Sequence, residues 1–256
     1  MHSGIPDLPA RLDAAAPNTA HTSGAPLRAL KRASQLASIG LLMMVASCAS
    51  ETLFQSSFNA SPVGAPPPQV QATGTISVGG APGSVTIVGP VPGTTENWVQ
   101  VQRSSEQAPI SEMRCDFSAS RGDGTYSLLC SLFIPSGSGL ATVEFATSPF
   151  GSPQSAGFLH LDFLQDNTVR LDDDAGEVFG TFPRDQFFAL AVTLEVGASS
   201  AVAHISLFGT GASGSKDHDV TPLSLAHQVG AVKFWMGFPW TGSFDVTDIH
   251  VSYKAP

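Results

Sequence analysis

The run Ala189-Leu-Ala-Val-Thr-Leu-Glu-Val196 constrains the fold of this chain more than any other feature. Leu190, Val192, Leu194 and Val196 fall on one side of an extended backbone, with Thr193 and Glu195 on the other, because side chains alternate along a strand. Similar short runs recur at residues 53–58, 84–88, 98–103, 112–117, 126–134, 141–146, 157–164, 168–171, 201–208, 231–238 and 244–253. Gly, Pro, Ser and Asp separate them, and 25 Gly with 19 Pro in 256 residues punctuate the chain too often for a helical bundle. From Glu51 onward no helical period competes. About a dozen strands, each with one polar face, predict an all-β, two-sheet antiparallel sandwich over residues 51–256. Residues 60–71, with Pro66, Pro67 and Pro68, read as an extended loop within that domain.

The first fifty residues have a different character. Residues 1–27 are rich in Ala, Pro, Ser and Thr with no apolar period, and read as a disordered extension or a misplaced start. Arg28, Lys31 and Arg32 then precede the apolar stretch Leu36-Ala-Ser-Ile-Gly-Leu-Leu-Met-Met-Val-Ala46. That stretch is too short to span a bilayer but right for an export signal. It stops at Val45-Ala-Ser-Cys48, and residues 28–48 together resemble a bacterial lipoprotein signal. The resemblance implies cleavage after residue 47 and acylation of Cys48, with residues 48–50 as anchor and tether. One acyl chain binds a membrane only marginally, so stable anchoring takes several. Ala49, where Asp would favour the inner membrane of a Gram-negative envelope, leans toward the outer one. The expected location is the cell envelope.

Charge narrows the partners. The chain has 12 basic and 21 acidic residues; removing residues 1–48 takes away 4 and 2 of these, so 8 − 19 leaves −11. The remaining cations are scattered singly, which argues against a nucleic-acid partner.

Cys115 and Cys130 flank Ser120-Arg-Gly-Asp-Gly-Thr125, a turn signal. A hairpin pairing residues 120 and 125 would set Cys115 opposite Cys130. In an oxidising compartment that pairing invites a disulfide, stabilising by roughly 3 kcal/mol in the chain-entropy model.

A wider resemblance emerges from the order of the strands. An aromatic-flanked first strand (Leu53-Phe-Gln-Ser-Ser-Phe58) leads into a Gly/Pro loop. Asp166-Asn-Thr-Val-Arg-Leu171, strands at 187–196 and 201–208 with Gly209, and a closing Gly242-Ser-Phe-Asp-Val-Thr-Asp-Ile-His-Val251 follow. This looks like the concanavalin A-like, laminin-G-type jelly roll of exported bacterial proteins, in which the first and last strands lie side by side. The fold hosts lectins, glycan-binding modules, glycosidases, lyases and structural domains, so it does not by itself assign a function.

Several motifs are weaker than they look. Gly209-Thr-Gly-Ala-Ser-Gly214 spells the dinucleotide fingerprint, but that requires a following helix, whereas residues 215–222 are loop-like. His160-Leu-Asp-Phe-Leu-Gln165 sits where certain laminarinase-type glycosidases carry E-x-D-x-x-E. Only Asp162 matches, and imidazole and amide cannot replace the required carboxyl pair. Asp172, Asp173 and Asp174, with Glu177, read as a solvated turn in preference to a calcium site. Arg121-Gly-Asp123 has a turn reason to exist. No spacing supports a metal, a cofactor or a catalytic triad.

The aromatics are more informative. In residues 231–238, Val232, Phe234, Met236 and Phe238 share one face, while Trp235 points to the other beside Lys233. Trp235 there serves either as core packing or as a plate on which a sugar ring stacks. Alternation also sets Glu144, His160, Asp162, Glu195 and His204 opposite core faces. The expected function is that of a membrane-tethered, non-catalytic module binding a carbohydrate or cell-envelope polymer, with Trp235, Glu195, His204, His160 and Asp162 as ligand contacts. An enzyme of the same fold acting on polysaccharide, or a structural envelope protein meeting another protein, are the alternatives.

Overall fold

Each apolar alternation becomes a strand that buries one side, and together these strands enclose one continuous core. The computed structural model describes residues 50–147, 157–171, 177–220 and 229–256; Cys48 and Asp172 to Asp174 lie outside them. In chain order the strands are β1 (Glu51–Gln55), β2 (Thr75–Gly79), β3 (Val85–Val88), β4 (Trp98–Arg103), β5 (Ser111–Arg121), β6 (Gly124–Phe133), β7 (Ala141–Ala146) and β8 (Gly157–Phe163). They continue with β9 (Thr168–Leu171), β10 (Val178–Thr181), β11 (Phe187–Val196), β12 (Ala201–Phe208), β13 (Ser213–Val220), β14 (Val229–Met236) and β15 (Gly242–Lys254).

Sheet I runs β13-β12-β11-β6-β15-β4-β3, and sheet II runs β2-β5-β14-β7-β8-β9-β10. The pairings are antiparallel, and β10 meets β13 where the two sheets join along one edge. At that join Gly180 pairs with Gly214. A Cβ on Gly214 would lie 2.6 Å from the Gly180 Cα, and its φ of +145° is one that side-chain-bearing residues rarely adopt, so glycine is required there. The thirteen-residue β15 pairs with β4 through Gly242 to Val246 and with β1 through His250 to Tyr253. The first and last strands are therefore neighbours, as the jelly-roll pattern implied.

The core is filled from both sheets. Tyr126, Leu128, Cys130, Leu190, Val192, Leu194, Phe244 and Val246 come from sheet I. Met113, Cys115, Val143, Phe145, Leu159, Leu161, Phe234 and Met236 come from sheet II. Phe163, Phe182 and Phe188 form a triangle with ring centroids 5.5–5.6 Å apart. A small satellite cluster of Val91, Trp98 and Phe133 lies apart from this core.

Four expectations need correction. Cys115 and Cys130 are free, buried thiols. The hairpin arithmetic assumed that β5 and β6 pair, but β5 pairs with β2 and β14, and β6 with β11 and β15. The turn between them is a crossover from one sheet to the other, so the two cysteines sit on different layers. Burial pushes both thiols well above their ordinary range, with Asp116 and then Cys130 adding to the shift at Cys115. Arg121-Gly-Asp123 serves this crossover: Arg121 pairs with Glu51 at 2.7 Å, and the Gly122 and Asp123 carbonyls accept bonds from the Tyr126 and Tyr253 hydroxyls.

Second, residues 213–220, read in part as loop, form β13, whose polar residues lie on both sides of the strand. The Gly209 to Gly214 motif is thus the turn of a β12–β13 hairpin. Third, β2 and β10 were not foreseen; both are short, and between them they bury fully only Ile76. Fourth, β14 stops at Met236, and Phe238, expected on the core face, is 72% exposed.

Candidate functional site

Sheet II carries an unusual outer face. On β5, Met113, Cys115 and Phe117 face the core, which turns Glu112, Arg114 and Asp116 outward. On β14 the same alternation turns Lys233 and Trp235 outward; on β7, Thr142 and Glu144; on β8, His160 and Asp162; on β9, Arg170. Strand register then lines these up in two rows. Glu112, Trp235, Thr142, Asp162 and Arg170 are successive cross-strand partners, and so are Ser77, Arg114, Lys233, Glu144 and His160.

These groups point away from the core, yet several are buried. Thr142, Arg114, Glu144, Asp162 and Asp116 are only 0–6% exposed. Buried charge is costly unless paired, and each carboxylate has its partner. Arg114 Nε donates to Asp116 Oδ1 at 2.8 Å, and Ser77 Oγ to Asp116 Oδ2 at 3.2 Å. Lys233 Nζ donates to Glu144 Oε1 at 2.8 Å, while His160 Nε2 lies 3.6 Å from Glu144 Oε2. Thr142 Oγ1 donates to Asp162 Oδ1 at 2.7 Å, and Arg170 Nη2 to Asp162 Oδ2 at 3.3 Å. Gly157 makes room for this arrangement: a Cβ there would sit 2.0 Å from Glu144 Oε1 and 2.5 Å from His160 Nε2.

Trp235 is half-buried, and its indole lies over Gly237, where a Cβ would come within 2.3 Å of Cζ3. Its Nε1, Arg114 Nη2 and Arg170 Nε are buried donors with no hydrogen-bond partner among the described residues. An orphaned buried donor carries the full desolvation penalty of the group, so three of them on one face mark a place where polar partners are missing.

The five residues singled out by sequence divide between the sheets. Trp235, His160 and Asp162 share the face just described. Glu195 and His204 lie on sheet I, on neighbouring β11 and β12. His204 Nδ1 is 2.7 Å from Asp217 Oδ1 and its Nε2 is 3.9 Å from Glu195 Oε1, all on solvated side chains. Those two residues belong to an exposed charge cluster of the kind that contributes little. Gln165 falls beyond the end of β8, in the turn to β9, so the glycosidase-like set is not assembled on that strand. Among the described residues no group of His, Cys, Asp and Glu is arranged to hold a metal.

Sequence reasoning missed Arg114, Asp116, Thr142 and Arg170. The signal was present: each sits between apolar residues of a strand, so alternation already placed it on an outer face. What alternation lacks is strand order, which alone sets β5, β14, β7, β8 and β9 side by side.

No protein-family model matches this chain. No curated protein matches it either. Among solved structures it is similar to lectin II from Ulex europaeus, at 14% identity and TM-score 0.50, covering 80% of this chain and 100% of that one. It is also similar to lectin I from Ulex europaeus in complex with the methyl glycoside of α-L-fucose (10% identity, 80% and 97% coverage, TM-score 0.49). A third likeness is to an alginate lyase from Pseudomonas aeruginosa (14% identity, 61% and 83% coverage, TM-score 0.41). At these identities the likeness concerns the fold alone: the chain is an all-β jelly-roll sandwich.

Proposed function

We propose that this chain is a carbohydrate-binding module whose site is the outer face of sheet II, held at the cell envelope through acylated Cys48. The observation that carries the reading is Trp235, half-buried with its Nε1–H unpaired among the described residues, beside a buried polar row. A sugar presents an apolar ring face and a rim of hydroxyls, which match an indole plate flanked by fixed polar groups. His160, Asp162, Arg170 and Lys233 supply that rim. The lipid anchor rests on the order of basic cluster, short apolar stretch, small residues and Cys48, and Ala49 in place of Asp favours the outer membrane where a Gram-negative envelope exists.

The test is a glycan array probed with the full chain in detergent, beside Trp235→Ala. Retention of a glycan by the native chain, lost in the variant, is expected; no glycan retained by the native chain would remove the reading. The anchor has its own test. Cells fed a labelled fatty acid should label the native chain and not Cys48→Ser, and an unlabelled native chain would end that part of the proposal.

A further inference from the structure

We infer that the ligand of the sheet II face is an acidic glycan, recognised through the carboxylate of a uronate unit. This rests on the carbohydrate reading above and names its substrate class. The inference comes from the sign of what is missing. Every unpaired buried polar atom on this face, among the described residues, is an N–H: Arg114 Nη2, Arg170 Nε and Trp235 Nε1. The buried carboxylates on the same face have donors already, Asp116 from Arg114 and Ser77, Glu144 from Lys233, and Asp162 from Thr142 and Arg170, while Glu112, cross-strand from Trp235, is part-exposed and solvated.

A neutral sugar hydroxyl both donates and accepts, so it suits a face with open positions of both kinds. A carboxylate only accepts. A face whose buried open positions are all donors, two of them on guanidinium groups, is complementary there to an acceptor-only group, and guanidinium–carboxylate bonds are among the stronger hydrogen bonds in proteins. Trp235 selects a sugar over an acidic peptide, because it offers a ring-sized apolar plate in the same row as Arg170.

The spacing suits a polymer. Trp235 and Arg170 are three strands apart, roughly 14 Å at about 4.8 Å per strand, which is longer than one sugar ring. His160 and Arg170 expose 27% and 33% of their side chains, so the ligand approaches at the β8–β9 end, with Arg114 as the inner donor. The chain as a whole carries −9, which disfavours indiscriminate capture of polyanions. Retention of an acidic polymer therefore reports local recognition.

The experiment measures binding of the full chain in detergent to polygalacturonate and polymannuronate, to the carboxyl-reduced form of each, and to dextran sulfate, alongside the neutral glycan array. Expected is binding to at least one polyuronate, weakened tenfold or more by carboxyl reduction, with dextran sulfate not retained. Arg170→Gln removes the cation beside buried Asp162 and so lowers the melting temperature, but at a temperature where the variant is folded it should lower polyuronate affinity about tenfold while leaving binding of the carboxyl-reduced polymer unchanged. Equal binding of native and carboxyl-reduced polymer, binding of neutral glycans alone, or equal retention of dextran sulfate would overturn the acidic-ligand inference and leave the carbohydrate site standing. Retention of no glycan of either kind would overturn both.

Discussion

Asp245 gives the sharpest test of how this fold handles charge. It lies on β15, 4% exposed, and its carboxylate receives one bond, from Gln100 Nε2 at 3.1 Å. Burial raises its pKa from an ordinary 3.8 to about 6, with the Gln100 bond pulling weakly the other way. Because the folded value is the higher one, the folded state holds this proton more tightly than the unfolded chain does. Between about pH 4 and 6 the unfolded state therefore binds fewer protons, and stability falls as pH rises through that window. Above it the cost is constant. A shift of about two units at 1.36 kcal/mol each amounts to about 3 kcal/mol. Asp245→Asn keeps the oxygen that Gln100 needs and removes the charge. At pH 7 it should be about 3 kcal/mol more stable than the native chain, a gain of roughly 6–12 °C in melting temperature for a domain of this size. At pH 4 the gain should nearly vanish. Urea unfolding at both pH values measures this. An equal gain at both, or none at pH 7, would refute the burial argument.

Three further outcomes test the packing and pairing of the two sheets. Lys233→Met strips the cation from buried Glu144 and should destabilise the fold by roughly 3–5 kcal/mol; adding Glu144→Gln should recover part of this, and a single variant as stable as the native chain would show the pair to be inert. Gly157→Ala drives a methyl group into the Glu144 carboxylate and the His160 ring, so it should lower stability by roughly 1–3 kcal/mol in thermal melts, while unchanged stability would mean these side chains are not held as described. Ellman's reagent should find Cys115 and Cys130 silent in the native protein and both reactive after denaturation without reductant; release of neither would restore the disulfide.

Much of the fold was legible because its signal is periodic. Residues 189–196 could hardly be anything but a strand with one face buried, and β11 buries Leu190, Val192, Leu194 and Val196 while Glu195 stays out. The same reasoning could not see β13, because its Ser, Lys, Asp and His residues bury no apolar stripe. That strand exists through its ladder to β12, and such backbone bonds leave no hydropathy trace. The error over Cys115 and Cys130 has a related cause. Local turn chemistry fixes where a chain reverses, but whether the reversal makes a hairpin or carries the chain across to the other sheet depends on which distant strands claim β5 and β6. The candidate site divides along this line. Alternation placed Trp235, His160 and Asp162 outward, and it could equally have placed Arg114 and Arg170 there. It also put Glu195 and His204 outward, and nothing local separates them from the others. Only the order β5-β14-β7-β8-β9 does so, since it closes one set of outward residues into a row of ion pairs with three open donors and leaves the other on a different sheet. For a sandwich of this kind, the faces of the strands can be read from sequence, while the composition of a binding face is a property of long-range pairing.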